Sequence, residues 1–206
     1  MYKTEQEEFW ATEFGIEYIE RNQGEKLLAS NLVFFTKALK QALNIRSIIE
    51  FGANIGMNIK ALQLLKPEAS CNAIEINSSA VQELTNLIHK DAIFEGSIFD
   101  YNIEKTYDLS MIKGVLIHVN PSMLNTVYEK LYLSSNKYIL IAEYYNPSPV
   151  SIDYRGHKDR LFKRDFAGEF MDKYKNVKLI DYGFDYRRDP NYPQDDITWF
   201  LMQKIV

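Results

Sequence analysis

The segment Ile48-Ile49-Glu50-Phe51-Gly52-Ala53-Asn54-Ile55-Gly56 constrains this chain more than any other. Branched apolar residues lead into an acid, and two glycines four apart follow before a helical pattern begins at Asn58. That order predicts a buried strand, a tight turn and a helix start. Glycine lets such a turn bring its backbone close to a ligand, because no Cβ obstructs the approach. A second apolar run, Ala73-Ile74-Glu75-Ile76, also meets an acid at its end. A carboxylate there suits a ribose, whose two hydroxyls can both donate to it. The glycine spacing is not the G-x-G-x-x-G of dinucleotide sites, and the Gly-Lys-Ser/Thr ending of a P-loop is missing.

Further strands are predicted at 71–76, 92–98, 109–113, 137–145, 177–186 and 197–204, after the first at 47–51. Helices are predicted at 30–43, 58–65, 78–89 with Ser78 or Ser79 as its cap, 121–133 opened by Pro121, and 158–174. Residues 146–157, with two prolines and a glycine, read as a loop. Phe9, Trp10, Phe14 and Tyr18 stand at helical spacing in a polar N-terminal stretch. Strand and helix alternate five times and two strands close the chain. Such alternation argues a parallel sheet covered by helices on both faces, with an antiparallel strand at the end. One domain over 1–206 is expected, with residues 1–25 folding over a site as a lid.

The formal charge of −4 argues against a long nucleic-acid partner, although a local basic patch can still hold a small anion. A single cysteine, Cys71, permits no internal disulfide and suits a reducing compartment. No stretch approaches the ~18 uncharged apolar residues of a membrane span, and acids at the N-terminus do not read as a signal peptide. A cytoplasmic protein with no membrane partner is expected. The three histidines are scattered, so no metal site is expected.

The pattern E-x-G-x-x-x-G from Glu50, with the later acid Glu75, resembles the first two motifs of class I S-adenosylmethionine-dependent methyltransferases. The resemblance implies an α/β fold, the Rossmann-like class I methyltransferase sandwich, with a seven-stranded mostly parallel sheet and an antiparallel last strand. It implies S-adenosylmethionine as cofactor and S-adenosylhomocysteine as product. By the same resemblance Glu50, Gly52 and Gly56 line the methionine part, and Ala53 and Asn54 form the turn between the glycines. Glu75 takes the ribose, Ile76 packs on the adenine, and Gly96, Ser97 and Ile98 border that ring. Many members carry an acid where Ser97 stands. Lys113, Gly114 and Val115 wall the sulfonium and the methyl group.

For the acceptor, His118 lies just past the fourth strand and suits either a general base or a brace for the next helix. His157 and Glu143 are the other base candidates. Tyr144 and Tyr154 can line a pocket, and Arg155 and Arg160 can hold a carboxylate or phosphate. Trp10, Tyr18, Arg21 and Asn22 are the N-terminal residues placed to touch a substrate. Three segments narrow the likeness: F-W-x-x-x-F-G-x-x-Y-I-x-R-N from Phe9, K-G-V-L-I-H-x-x-P from Lys113, and E-Y-Y-N-P-x-P from Glu143 with the Y-R-G-H run after it. They resemble small methyltransferases associated with pseudaminic acid biosynthesis in bacterial surface-glycan loci. That resemblance implies a small polar acceptor such as a nonulosonic acid or another activated, anionic sugar. A nucleotide or nicotinamide oxidoreductase on a related sheet and a non-catalytic binding protein are the alternatives. The acceptor, the oxygen or nitrogen methylated and the oligomeric state stay open.

Overall fold

Apolar side chains alternate across each central strand, and this alternation divides the core into two layers. In the computed structural model, which describes residues 2–205 apart from the side chains of Glu13 and Glu20, strand β1 (Ser47–Phe51) sends Ile48 to one layer and Ile49 and Phe51 to the other. The fourth and fifth strands, β4 (Tyr107–Lys113) and β5 (Ser135–Glu143), do the same with Leu109 and Met111 against Ile112, and Leu140 against Ile139 and Ile141. Both faces therefore need cover, as strands of an all-parallel sheet do. Helices α3 (Glu25–Ala38), α4 (Met57–Leu65) and α5 (Ser78–Leu84) supply one layer through Phe34, Phe35, Leu62 and Leu84. Helices α6 (Leu124–Ser134) and α7 (Phe166–Lys173) supply the other through Val127, Leu131 and Phe170.

The sheet has seven strands. With β2 (Ser70–Glu75), β3 (Ile93–Glu95), β8 (Val177–Asp185) and β9 (Ile197–Lys204), its order is β3-β2-β1-β4-β5-β9-β8. Strands β1 to β5 are mutually parallel, and β9 inserts antiparallel to both β5 and β8. The chain leaves β1 toward β2 and β3 on one side, and later toward β4 and β5 on the other. Their carboxyl ends at β1 and β4 form the switch point where open α/β sheets bind ligands.

Several boundaries differ from the sequence reading for identifiable reasons. The N-terminal stretch is two helices, α1 (Glu5–Ala11) and α2 (Glu13–Arg21), because Thr12 takes extended dihedrals between them. Helix α3 starts at Glu25 rather than at Ser30. Helix α5 is capped by Asn77, whose side chain accepts from the N–H groups of Ser79 and Ala80, rather than by a serine. Strand β3 has only three residues.

The largest correction concerns 150–163. The sequence reading placed a loop to 157 and a helix from 158. The structure instead forms a separate two-stranded hairpin, β6 (Val150–Tyr154) with β7 (His157–Lys163), and a helix only from Phe166. Arg155 and Gly156 turn it with positive φ values of 49° and 86°. Two consecutive positive values match the twist of paired strands, and Gly takes one without strain. No described helix is long and apolar enough to cross a membrane.

Candidate active site

The cleft is built first by the turn after β1. Gly52 takes a φ of 76°, and the N–H groups of Gly52 and Ala53 donate to the Ile74 carbonyl at 2.8 and 3.1 Å. A Cβ on Gly52 would stand 2.6 Å from a Val115 methyl carbon, so only glycine lets the turn pass this close to the post-β4 segment. The turn is locked from the second strand. Glu75 accepts from the Asn54 N–H at 2.7 Å through one oxygen and from the Asn77 N–H at 2.8 Å through the other. The Ile76 N–H also donates to this carboxylate, which with three donors for four lone pairs keeps acceptor capacity and still lines the cleft. Burial raises its carboxyl above the usual carboxylate range, and these amide donors oppose that shift.

The cleft has a volume of about 470 Å³, within the ~300–1,000 Å³ span of small-molecule sites. Gly52, Ala53, Asn54, Glu75, Ile76, Gly96, Ser97, Ile98, Lys113, Gly114 and Val115 all line it. The Ser97 hydroxyl accepts from the Phe99 N–H at 3.0 Å, which leaves its own proton for a ligand. Two predicted residues lie behind the surface. Gly56 starts α4 at a φ of 80° and faces Leu84 and Leu87, where a Cβ would meet both at 2.7 Å. Its part is close packing of α4 against α5 and the turn that follows it. Glu50 is wholly buried. Its Oε1 accepts from Asn58 Nδ2 at 2.6 Å, and Oε2 has no partner among the described residues. Burial pushes its carboxyl up to about 8, against the opposing pull of Asn58 and Lys113.

The roof comes from two distant parts of the chain. From α1 and α2, Trp10, Tyr18 and Arg21 line the cleft, and so does Asn22, which follows α2. From the hairpin, Tyr154 and Arg155 line it, and Tyr144 joins from the end of β5. The two parts clip together. Gln6 Nε2 donates to the Asp159 carbonyl at 2.9 Å, Arg160 pairs with Glu5 at 3.1 Å, and the Phe14 and Tyr154 rings meet at 5.7 Å. Arg160 is consumed in this clip, with its guanidinium 5.5 Å from the Phe9 ring, and does not line the cleft. Its sequence-based place among substrate residues is therefore corrected.

The three base candidates separate clearly. His118 lines the cleft, but its Nδ1 lies 2.6 Å from the Arg160 carbonyl and its ring packs on Trp10 and Tyr154 at 4.5 and 5.0 Å. The carbonyl fixes the proton on Nδ1. Burial pulls the imidazole down to about 4, so it is neutral at pH 7. His157 is exposed outside the cleft, 5.1 Å from the Phe9 ring. Glu143 is buried away from the cleft and accepts from the N–H groups of Val115, Leu116 and Ile117 at 2.9, 2.8 and 3.4 Å. It holds the post-β4 turn in shape. Burial raises its carboxyl to about 7, against those three donors.

Sequence reasoning missed Asn31, Gln194 and Asp195, which line the cleft from α3 and the β8–β9 loop. Gln194 Nε2 donates to Asn31 Oδ1 at 3.0 Å across a gap of 163 positions. No local pattern carries a signal for such a pair. Among the described residues, no group of three or more His, Cys, Asp or Glu side chains could hold a metal ion.

No family model matches the sequence, and no curated protein matches it. Solved structures do share its architecture. The 1,6-didemethyltoxoflavin-N1-methyltransferase of Burkholderia thailandensis, with 1,6-didemethyltoxoflavin and S-adenosylhomocysteine bound, aligns at a TM-score of 0.70 and 10% identity over 98% of this chain and 87% of that one. Magnesium protoporphyrin IX methyltransferase of Synechocystis PCC 6803, with S-adenosylmethionine bound, aligns at 0.67 and 10% identity over 99% of both chains. An S-adenosylmethionine-dependent methyltransferase of Clostridium acetobutylicum aligns at 0.63 and 10% identity over 94% of this chain and 98% of that one. The fold is the Rossmann-like fold of class I S-adenosylmethionine-dependent methyltransferases. Likeness at this identity carries the architecture and not the acceptor.

Proposed function

We propose that this protein transfers a methyl group from S-adenosylmethionine to a small polar acceptor. One observation carries the reading: the Glu75 carboxylate lines the cleft beside a glycine turn that a Cβ would block. The donor set fits the cofactor. Glu75 would accept the ribose hydroxyls, and Ile76 and Ser97 would border the adenine. When bound, the sulfonium supplies a methyl carbon already activated for displacement. The residues of this chain then have to orient an acceptor in line and exclude water. Trp10, Tyr18 and Tyr154 form the apolar part of that enclosure, and residues 1–25 with the hairpin act as its lid.

The acceptor is proposed to be anionic, a nonulosonic acid or another activated sugar, methylated on oxygen or nitrogen. Arg21, Lys113 and Arg155 on the cleft wall support this, as do the sequence segments that resemble the pseudaminic acid-associated enzymes. A cytoplasmic site of action accords with the one free, buried cysteine. Calorimetric titration tests the core of the reading: S-adenosylhomocysteine binds and NAD does not. Binding of NAD alone would reverse it in favour of an oxidoreductase. Incubating the protein and S-adenosylmethionine with nucleotide-activated sugars, sugar acids, amino sugars and small amines, then looking for a gain of one methyl by mass spectrometry, identifies the acceptor.

A further inference from the structure

Three carboxylates line the cleft: Glu7, Glu75 and Asp195. Glu7 is spent on the N-terminus of α1, where it accepts from the Lys3 and Thr4 N–H groups. Glu75 holds Asn54 and Asn77. Asp195 makes neither a hydrogen bond nor an ion pair among the described residues. It is nevertheless held in place. On one side Gln194 is buried and tied to Asn31 at 3.0 Å and to the Tyr186 carbonyl at 3.4 Å. On the other, Asp196 sits at a φ of 54° and accepts from the Arg187 N–H at 2.9 Å. A pinned loop thus presents one unpaired carboxylate to the cleft. Its charge acts on Lys113 at the end of β4, on Tyr18 of α2 and on Tyr144 after β5.

Of the three base candidates of the sequence, two lie outside the cleft, and the third, His118, is buried in its wall. His157 is outside the cleft and Glu143 is occupied by three amides, while His118 keeps an open Nε2 but is wedged between the Trp10 and Tyr154 rings with its Nδ1 on the Arg160 carbonyl. From this geometry we infer that Asp195 is the catalytic base for a hydroxyl acceptor, an inference that rests on the methyl-transfer reading above. The acceptor oxygen attacks the methyl carbon and forms the new C–O bond. The C–S bond breaks and its electron pair stays on sulfur, giving S-adenosylhomocysteine. The hydroxyl proton passes to the Asp195 carboxylate and from there to solvent, to which this exposed side chain is open. Lys113 and Arg155 line the same cleft.

The test uses the full chain and the variant Asp195→Asn. S-adenosylhomocysteine is titrated into both by calorimetry, and both are assayed with S-adenosylmethionine on a panel of sugar acids, amino sugars, nucleotide-activated sugars and small amines. The expected result is cofactor affinity within threefold between the two proteins, together with O-methylation by the wild type that slows about 100-fold or more in the variant, the range of a lost general base. Binding of the methylated panel member to the S-adenosylhomocysteine complex, read by calorimetry, is expected to change less than threefold. Variant turnover within threefold of wild type overturns the role of Asp195, and so does methylation confined to amines or absent from every hydroxyl compound. Loss of acceptor and product binding together overturns it too, by making the residue structural. Failure of the wild type to bind S-adenosylhomocysteine instead brings down the methyl-transfer reading itself.

Discussion

Glu75 has a structural task and a ligand-facing task in one side chain, and these can be separated. Glu75→Gln keeps the shape but converts one acceptor into a donor, which sets it against an amide N–H or a ribose hydroxyl. Glu75→Ala removes both acceptors and leaves the Asn54 and Asn77 amides without them, at a cost of about 1–3 kcal/mol each where water does not replace them. Calorimetry with S-adenosylhomocysteine is expected to show at least a tenfold loss for either variant, about 1.4 kcal/mol. Affinity within twofold of wild type in Glu75→Gln contradicts the ribose assignment. Glu143 is different in kind. Glu143→Ala strands three amide donors of the post-β4 turn, and urea unfolding is expected to lose about 2–4 kcal/mol. A loss under 0.5 kcal/mol would remove its bracing role.

Glu50 also sets a pH dependence in the ligand-free protein. Its ordinary value is 4.5 and its folded value is about 8, so between them the folded state binds more protons than the unfolded chain. Stability from this group is full below pH 4.5 and is lost as pH rises through 8. Glu143, raised to about 7, acts in the same direction. His118 acts oppositely, because its value falls from 6.5 to about 4 and its contribution is lost as pH falls through that window. Above pH 6.5 His118 no longer contributes, and Lys113, lowered by burial beside Glu50, acts against the acids. The share of Glu50 is therefore read as a difference: from pH 6.5 to 8 the urea midpoint of Glu50→Gln is expected to decline less steeply, or rise more, than that of the wild type. Equal slopes would show that Glu50 is ionised throughout.

At the scale of elements, the roof is the part the sequence concealed. His157 to Lys163 sets one acid, Asp159, among several bases in a way that suits an exposed helix, and the first four residues of β6 are exposed. Two signals were usable: the period-2 alternation Val150-Ser151-Ile152-Asp153-Tyr154, and Arg155-Gly156, a two-residue turn with Gly second, between segments that pair. The hairpin is fixed by its packing on the 116–118 turn, where His118 Nδ1 meets the Arg160 carbonyl, and by its contacts with α1 and α2 far away in the chain. Loosening that contact with Gln6→Ala and Arg160→Ala together is expected to speed tryptic cleavage within residues 1–25 and 150–163 severalfold, while global stability changes by about 1 kcal/mol or less. Unchanged cleavage would mean that the aromatic contacts and the His118–Arg160 carbonyl bond suffice to hold the roof. The boundaries of β1, β2, β4 and β9 were legible to within a residue or two, because each is an apolar run bounded by turn chemistry.

For the whole molecule, a ligand that binds only the folded state adds stability by mass action. At a concentration about 100-fold above its dissociation constant, S-adenosylhomocysteine is expected to add about 2.7 kcal/mol. For a chain of this length that raises the melting temperature by about 5–10 °C. NAD at the same concentration is expected to leave it unmoved, and the reverse pattern would exchange one cofactor for the other.

The amino-acid sequence by itself determined the alternating layers, the glycine turn after the first strand and the two acids at successive strand ends. Those features follow from hydrophobic periodicity and backbone dihedral limits, which act within a few residues. Only the tertiary structure decided that Glu50 lies behind the cleft, that Glu143 serves a turn, that Arg160 is spent on the roof, and that Asp195 stands unpaired in the site. Burial and hydrogen-bond partnership are properties of groups far apart in the chain, and strand order alone brings those groups together.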